Sequence, residues 1–114
     1  MKFFFNQRNI KWVCHHLHLD KSQTFNNNIL NQSNVHMKDK WKLMRDIKLK
    51  YNEKEIKERM LKTSTDLVRQ GCTKMRTFID VDSYVGLNGL NCALDLKNYC
   101  FTYSFFKFTL WTRI

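Results

Sequence analysis

The sequence predicts an α/β fold assembled from parallel βαβ units. Three observations carry that prediction. A β-prone apolar run spans residues 10–19, an alternating run spans 73–81, and helical patterns lie between and after them. Strand, helix, strand and helix in that order favour parallel pairing through crossovers. With 114 residues, 43% of them hydrophobic, the chain has material for one modest core and no obvious second domain.

Residues 10–19, IKWVCHHLHL, show no recurrence at three or four and therefore fit a buried strand better than a helix. On a strand, His16 and His18 share one face, and His15, Leu17 and Leu19 take the other. Residues 20–36 are rich in Asn, Ser and Gln and predict a polar loop, longer than the ~12–15 residues that structureless connections usually reach. A short helix is expected at about 37–48, with Trp41, Met44 and either Ile47 or Lys48 inward.

The clearest helix runs from Asn52 to Gln70. Asn52 suits the N-cap, and Glu53 and Glu55 suit the first turn. Ile56, Met60, Leu67 and Val68 form an apolar stripe. Glu53–Lys57, Glu55–Arg59 and Glu58–Lys62 are spaced for i,i+4 pairing, and Gly71 supplies the stop. In the next strand Met75, Thr77, Ile79 and Val81 alternate with Arg76, Phe78 and Asp80. DSYVG turns the chain into a helix marked by Leu87, Leu90 and Leu94. From Cys100 onward the tail reads either as a third strand or as an apolar extension.

A net charge of +10 and a pI near 9.7 favour acidic partners. Biased composition explains the charge more simply, since proline is absent and Asn, Lys and Phe abound. Residues 38–62 hold ten Lys/Arg against five Asp/Glu, with Trp41 and Tyr51 interleaved. A small basic nucleic-acid-binding module is therefore the alternative function. The ordered Glu-to-Lys spacing points instead to a solvated helix face, so nucleic acid is not the expected partner. Cysteines at 14, 72, 92 and 100 lack knuckle spacing, and reduced thiols in a cytoplasmic protein are the expectation. The apolar N-terminal run stops at Asn6, short of the ~7–15 residues of a signal peptide. The aromatic tail is interrupted at Lys107 and falls short of the ~20 residues of a membrane span.

Several segments in register resemble a known family. HLHLDKSQT at 16–24, NQS at 31–33 and VRQGCTKMRTFIDVDSYVGLNGLNCALDLKNY at 68–99 are similar to the cytosine deaminase-like branch of the metal-dependent amidohydrolases, over about residues 12–99. There the first barrel strand ends in His-x-His-Leu-Asp, a polar loop carries Asn-Gln-Ser, and the second strand reads Arg-Thr-His-Val-Asp-Val. The resemblance implies a TIM-type barrel, a divalent zinc or iron ion, and hydrolysis of C–N bonds in a small cyclic amine or amide. Carried over by position, His16 and His18 become metal ligands, Asn31 and Gln32 line the substrate mouth, and Asp80 supports the site from behind. Spacing agrees for the histidines, because i,i+2 on a strand aims both imidazoles one way, and neutral imidazole suits zinc or iron.

Departures from the family are as informative. Phe78 stands where the second strand has His. The later metal ligands and the acid/base carboxylate have no counterpart. Residues 1–114 thus read as one truncated amidohydrolase-like domain, the first two βα units of an incomplete barrel, with the tail a candidate start to the third. The expectation is a family hydrolase with no catalytic residues of its own, inactive in isolation. A complementing fragment or a homo-oligomer is the route to activity, and a product without function is the remaining alternative.

Overall fold

The computed structural model describes residues 11–102 and 107–113, with side chains over 11–100. The Phe run behind the signal-peptide argument lies outside the described residues. In chain order the elements are β1 (Trp12–Leu17), a 3₁₀ turn (Leu19–Lys21), α1 (Asn27–Gln32), α2 (Met37–Leu49), α3 (Glu53–Arg69), β2 (Cys72–Asp80), α4 (Asn88–Thr102) and β3 (Lys107–Arg113). The strands form one sheet in the order β1-β2-β3, and both pairings are parallel. The α/β class and the parallel pairing are as the sequence predicts, and the tail takes the strand alternative. No helix among the described residues is long and apolar enough to cross a membrane.

Period-two patterning makes β2 the centre of the fold. Met75, Thr77 and Ile79 are buried on one face at 1% exposure or less, while Lys74 and Arg76 on the other face are exposed. Ile56 and Met60 of α3 and Cys92, Ala93 and Leu96 of α4 close over the buried face, joined by Leu19 from the 3₁₀ turn. Asn52 caps α3, its side-chain oxygen accepting from Glu55 N at 2.9 Å. After α3, Gly71 adopts φ +95°, a conformation side-chain-bearing residues rarely take.

Five local expectations are corrected. β1 is an edge strand rather than a buried one, with Trp12 62% and Val13 53% exposed, because its outer edge carries no neighbour among the described strands. The polar stretch 20–36 contains α1, which a side chain starts: Asn26 accepts from Ile29 N at 3.0 Å. Trp41 is exposed rather than inward, since α2 buries no residue and is held at its C-terminal end through Lys48. In α4 the inward face is Gly89, Cys92, Ala93 and Leu96, while Leu87 and Leu94 are exposed. The helix lies so near the sheet that a Cβ on Gly89 would stand 3.3 Å from Ile79 Cγ2, so a residue without a side chain sits at the closest approach, while Leu90 and Leu96 pack on the core further along. Val68, assigned to the α3 stripe, is likewise exposed.

Candidate functional site

His16 and His18 meet at the C-terminal end of β1, the end at which open parallel sheets and barrels build their sites. Alternation about the core-packed Leu17 brings them to one face, as the sequence predicts. Between Cys14 and Leu17, β1 takes three residue steps against two on β2, from Met75 to Thr77. This irregularity resets the parity, so Cys14 and Leu17 both pack against the core although one is even and one odd. His18 falls just past the strand as N-cap of the 3₁₀ turn. The two Nε2 atoms stand 3.2 Å apart. Phe78 backs both rings, at centroid distances of 4.5 Å from His16 and 5.9 Å from His18. His15 is exposed.

A polar scaffold fixes the turn beneath the rings. Leu19 N donates to the buried Thr77 Oγ1 at 3.0 Å. Asp80 N donates to Asp20 Oδ2 at 2.9 Å, and Arg59 Nη1 donates to the carbonyls of Asp20 and Ser22 at 3.0 and 2.9 Å. Asp80 Oδ2 receives Lys21 and Lys48, each at 2.8 Å, and Lys48 also reaches Asp82 at 2.6 Å. Asp82 closes the following turn by accepting from Tyr84 N and Val85 N.

Proton affinities follow from these surroundings. Burial, assisted by the Lys21 ammonium, holds His18 below the ordinary imidazole range and so favours its neutral form. Burial lifts the Asp20 carboxyl above its ordinary value, helped by the Asp80 charge and opposed by the Asp80 N–H. Burial also works against the Asp80 carboxylate, but the hydrogen bonds from Lys21 and Lys48 outweigh it and hold Asp80 low.

The histidine pair suits part of a metal site. Two imidazoles at tetrahedral angles on zinc, with Zn–N of ~2.0–2.1 Å, have nitrogens about 3.3 Å apart. The observed 3.2 Å matches that bite. It also matches a hydrogen bond in which one ring's N–H donates to the other's lone pair. Among the described residues no group of three or more His, Cys, Asp or Glu is arranged to hold a metal. Residues 1–10 and 101–114 contain none of those four types. The described residues therefore bring together two such donors, short of the three protein ligands a catalytic zinc normally takes.

The other assigned residues lie elsewhere. Asp80 supports the turn after β1 and the end of α2 rather than either imidazole. Asn31 and Gln32 are exposed on α1. Gln32 lines a cavity of about 510 Å³ that also involves Thr24, Leu43, Ile47, Tyr51 and Glu55, and neither His16 nor His18 borders it. The structure thus brings the histidines together but not the polar loop to them. Arg59 pairs with Glu55 at 3.7 Å, as the spacing predicts, but the spacing does not show its burial. It is 8% exposed and lies 4.6 Å from the Tyr51 ring centroid. The inward phase of Arg59 beside Ile56 and Met60 was the available signal. Comparison with protein-family models and with curated proteins finds no match.

Proposed function

We propose that this chain forms the opening βα units of a TIM-type, metal-dependent hydrolase of cyclic C–N bonds, cytosine deaminase-like in type. His16 and His18 are its first zinc or iron ligands. The observation that carries the reading is the convergence of two Nε2 atoms, 3.2 Å apart, at the C-terminal end of the first parallel strand. Helices packed on one sheet face, with cations exposed on the other, also suit a strip cut from a barrel wall.

A divalent ion of this kind polarises a bound water toward hydroxide. The chain's own part is to present lone pairs and keep them available. The low proton affinity of His18 keeps its nitrogen free at neutral pH, and Phe78 shields one side of the rings. Among the described residues neither nearby carboxylate is placed for proton transfer beside the pair, because Asp20 is buried against Asp80 N and Asp80 is held by two ammonium groups. The isolated chain is therefore proposed to be inactive, with the remaining ligands and the acid/base carboxylate supplied from outside these residues. The substrate class is a small cyclic amine or amide.

Metal content after zinc or ferrous loading and desalting tests the reading. Wild type retains metal, and the double variant His16→Ala with His18→Ala retains at most a tenth as much. Equal content in the two overturns the ligand assignment.

A second reading, nucleic-acid contact along 38–62, has one observation in its favour: Trp41 is 65% exposed beside exposed Lys38, Lys40 and Lys42. It ranks below the first because Lys57 is engaged by Glu53 and Asp95, and Arg59 is buried on carbonyls. A steep loss of affinity for single-stranded DNA with rising salt would raise it to first place.

A further inference from the structure

Four thiols are free, and two of them lie on neighbouring strands, Cys14 on β1 and Cys72 on β2. Trp12 pairs with Cys72 and Cys14 with Met75, so the two cysteines are diagonal neighbours across one parallel pairing. A regular diagonal of that kind spans roughly 8 Å between Cα atoms, a little beyond the ~7 Å that a disulfide bridges without backbone movement. Three features close the gap. Cys72 Sγ donates to the Lys74 carbonyl at 3.2 Å, so its side chain leans along β2 toward the level of Cys14. Both side chains turn to the core, Cys72 within it and Cys14 packed against it, and the Cys14 thiol is hydrogen-bonded to the Cys72 sulfur. The backbone around Cys14 is also free to adjust. β1 has no outer neighbour among the described strands, and its register against β2 shifts on both sides of Val13 and Cys14.

We propose that Cys14 and Cys72 form a reversible disulfide when the chain meets a low-molecular-weight disulfide such as oxidised glutathione, and that the bond fastens β1 to β2. Cys14 is half-buried and Cys72 buried, so Cys14 is the thiol that the reagent reaches. Its thiolate takes one sulfur of the small disulfide and releases the first small thiol. Cys72 then attacks the Cys14 sulfur of the mixed disulfide and releases the second. The two cysteine protons end on the released thiols, and two electrons pass from the cysteine pair to the small disulfide. Burial and the neighbouring Cys72 thiol raise the proton affinity of Cys14, so exchange is slow at neutral pH and quickens as pH climbs past the ordinary thiol range. The remaining thiols sit on α4, where Cys92 Sγ is turned to the Glu53 carbonyl at 3.5 Å. The link joins positions far apart in sequence, so it restricts the unfolded chain and raises the melting temperature. It stands whether or not His16 and His18 hold a metal.

Incubation of the native chain with oxidised glutathione at pH 8 tests this, followed by acid quench, alkylation in denaturant, trypsin digestion and mass spectrometry. The expected product is a monomer in which tryptic peptides 12–21 and 70–74 are joined and Cys92 and Cys100 are alkylated. Its Tm should rise by at least about 5 °C and return with dithiothreitol. The rate of closure should increase from pH 7 to pH 9. Cys92→Ala with Cys100→Ala should form the same link, and Cys14→Ser should form none and show no rise in Tm. Alkylation of all four thiols overturns the proposal, as does glutathione left on Cys14 without closure. A link that joins other cysteines or two chains, or one that forms between 12–21 and 70–74 only in urea, overturns it equally.

Discussion

Asp20 and Asp80 touch through one hydrogen bond, yet folding moves their proton affinities in opposite directions. A carboxyl raised on folding binds its proton more tightly in the native state. Its contribution therefore falls as pH climbs from the unfolded value to the folded one, and stays low above. Asp20 behaves this way. Asp20→Asn keeps an oxygen for Asp80 N and removes the charge, so we expect it to stabilise the fold at pH 7 by about 1 kcal/mol. The gain should shrink at pH 4, because wild type takes up its proton as pH falls through the raised folded value. Thermal melts at the two pH values check this, and a lower Tm for Asp20→Asn at pH 7 contradicts it. Asp80 is the opposite case. Its stabilisation is present above the ordinary carboxylate value and is lost as pH falls through the depressed one. Asp80→Asn leaves Lys21 and Lys48 without their shared anion and should cost about 1–3 kcal/mol at pH 7. Urea midpoints should converge with wild type toward pH 3.

A buried hydroxyl is one of the ties between the turn after β1 and β2, beside the Asp20 and Lys21 links to Asp80. Thr77 is fully buried, and its Oγ1 accepts from Leu19 N. Thr77→Val preserves shape and leaves that N–H buried without a partner, at a cost of about 1–3 kcal/mol. Hydrogen exchange should show the loss at Leu19 ahead of the strand amides, and unchanged Leu19 protection would contradict the role given to Thr77. This contact also marks how far the sequence can be read. Strand β2 and helix α3 were legible because period-two burial, an Asn cap and a glycine stop are local signals. The inward phase of Thr77 was visible in that alternation, but its bond to a residue 58 positions away was not. Helix α4 was legible as an element and misread in part of its phase, since Gly89, Cys92 and Ala93 take inward positions that leucine spacing does not mark. His16 and His18 were legible as a pair. The register irregularity that turns Cys14 and Leu17 to the same face, and so sets which face the pair takes, is encoded by no pattern within β1. The separation of Gln32 from them was hidden for a similar reason, because α1 and its cap consume the chain length that a loop would have used to reach the strand ends.

The molecule as a whole sets strong charge against a sheet whose β1 edge has no neighbour among the described strands. Edge strands offer unpaired backbone groups to other chains, and proteins commonly guard them with Lys or Pro. The outer strand β1 instead exposes Trp12 and Val13, between Lys11 and the half-buried Cys14. The local guard is thin, so the +10 charge of the chain must keep copies apart. Such protection fails once ions screen it, and the Debye length falls from ~10 Å at 0.1 M to ~3 Å at 1 M. In EDTA, where zinc cannot contribute, light scattering from wild type is expected to stay low at 0.02 M NaCl and to rise several-fold by 1 M. Trp12→Lys places a cation on the edge and removes its largest apolar group while leaving the Trp12 carbonyl free to accept from Thr73. It should hold scattering low across the whole salt range. If Trp12→Lys and wild type scatter alike at 1 M, the association arises at another surface, and the exposed apolar residues Met37 and Trp41 of α2 become the next to replace.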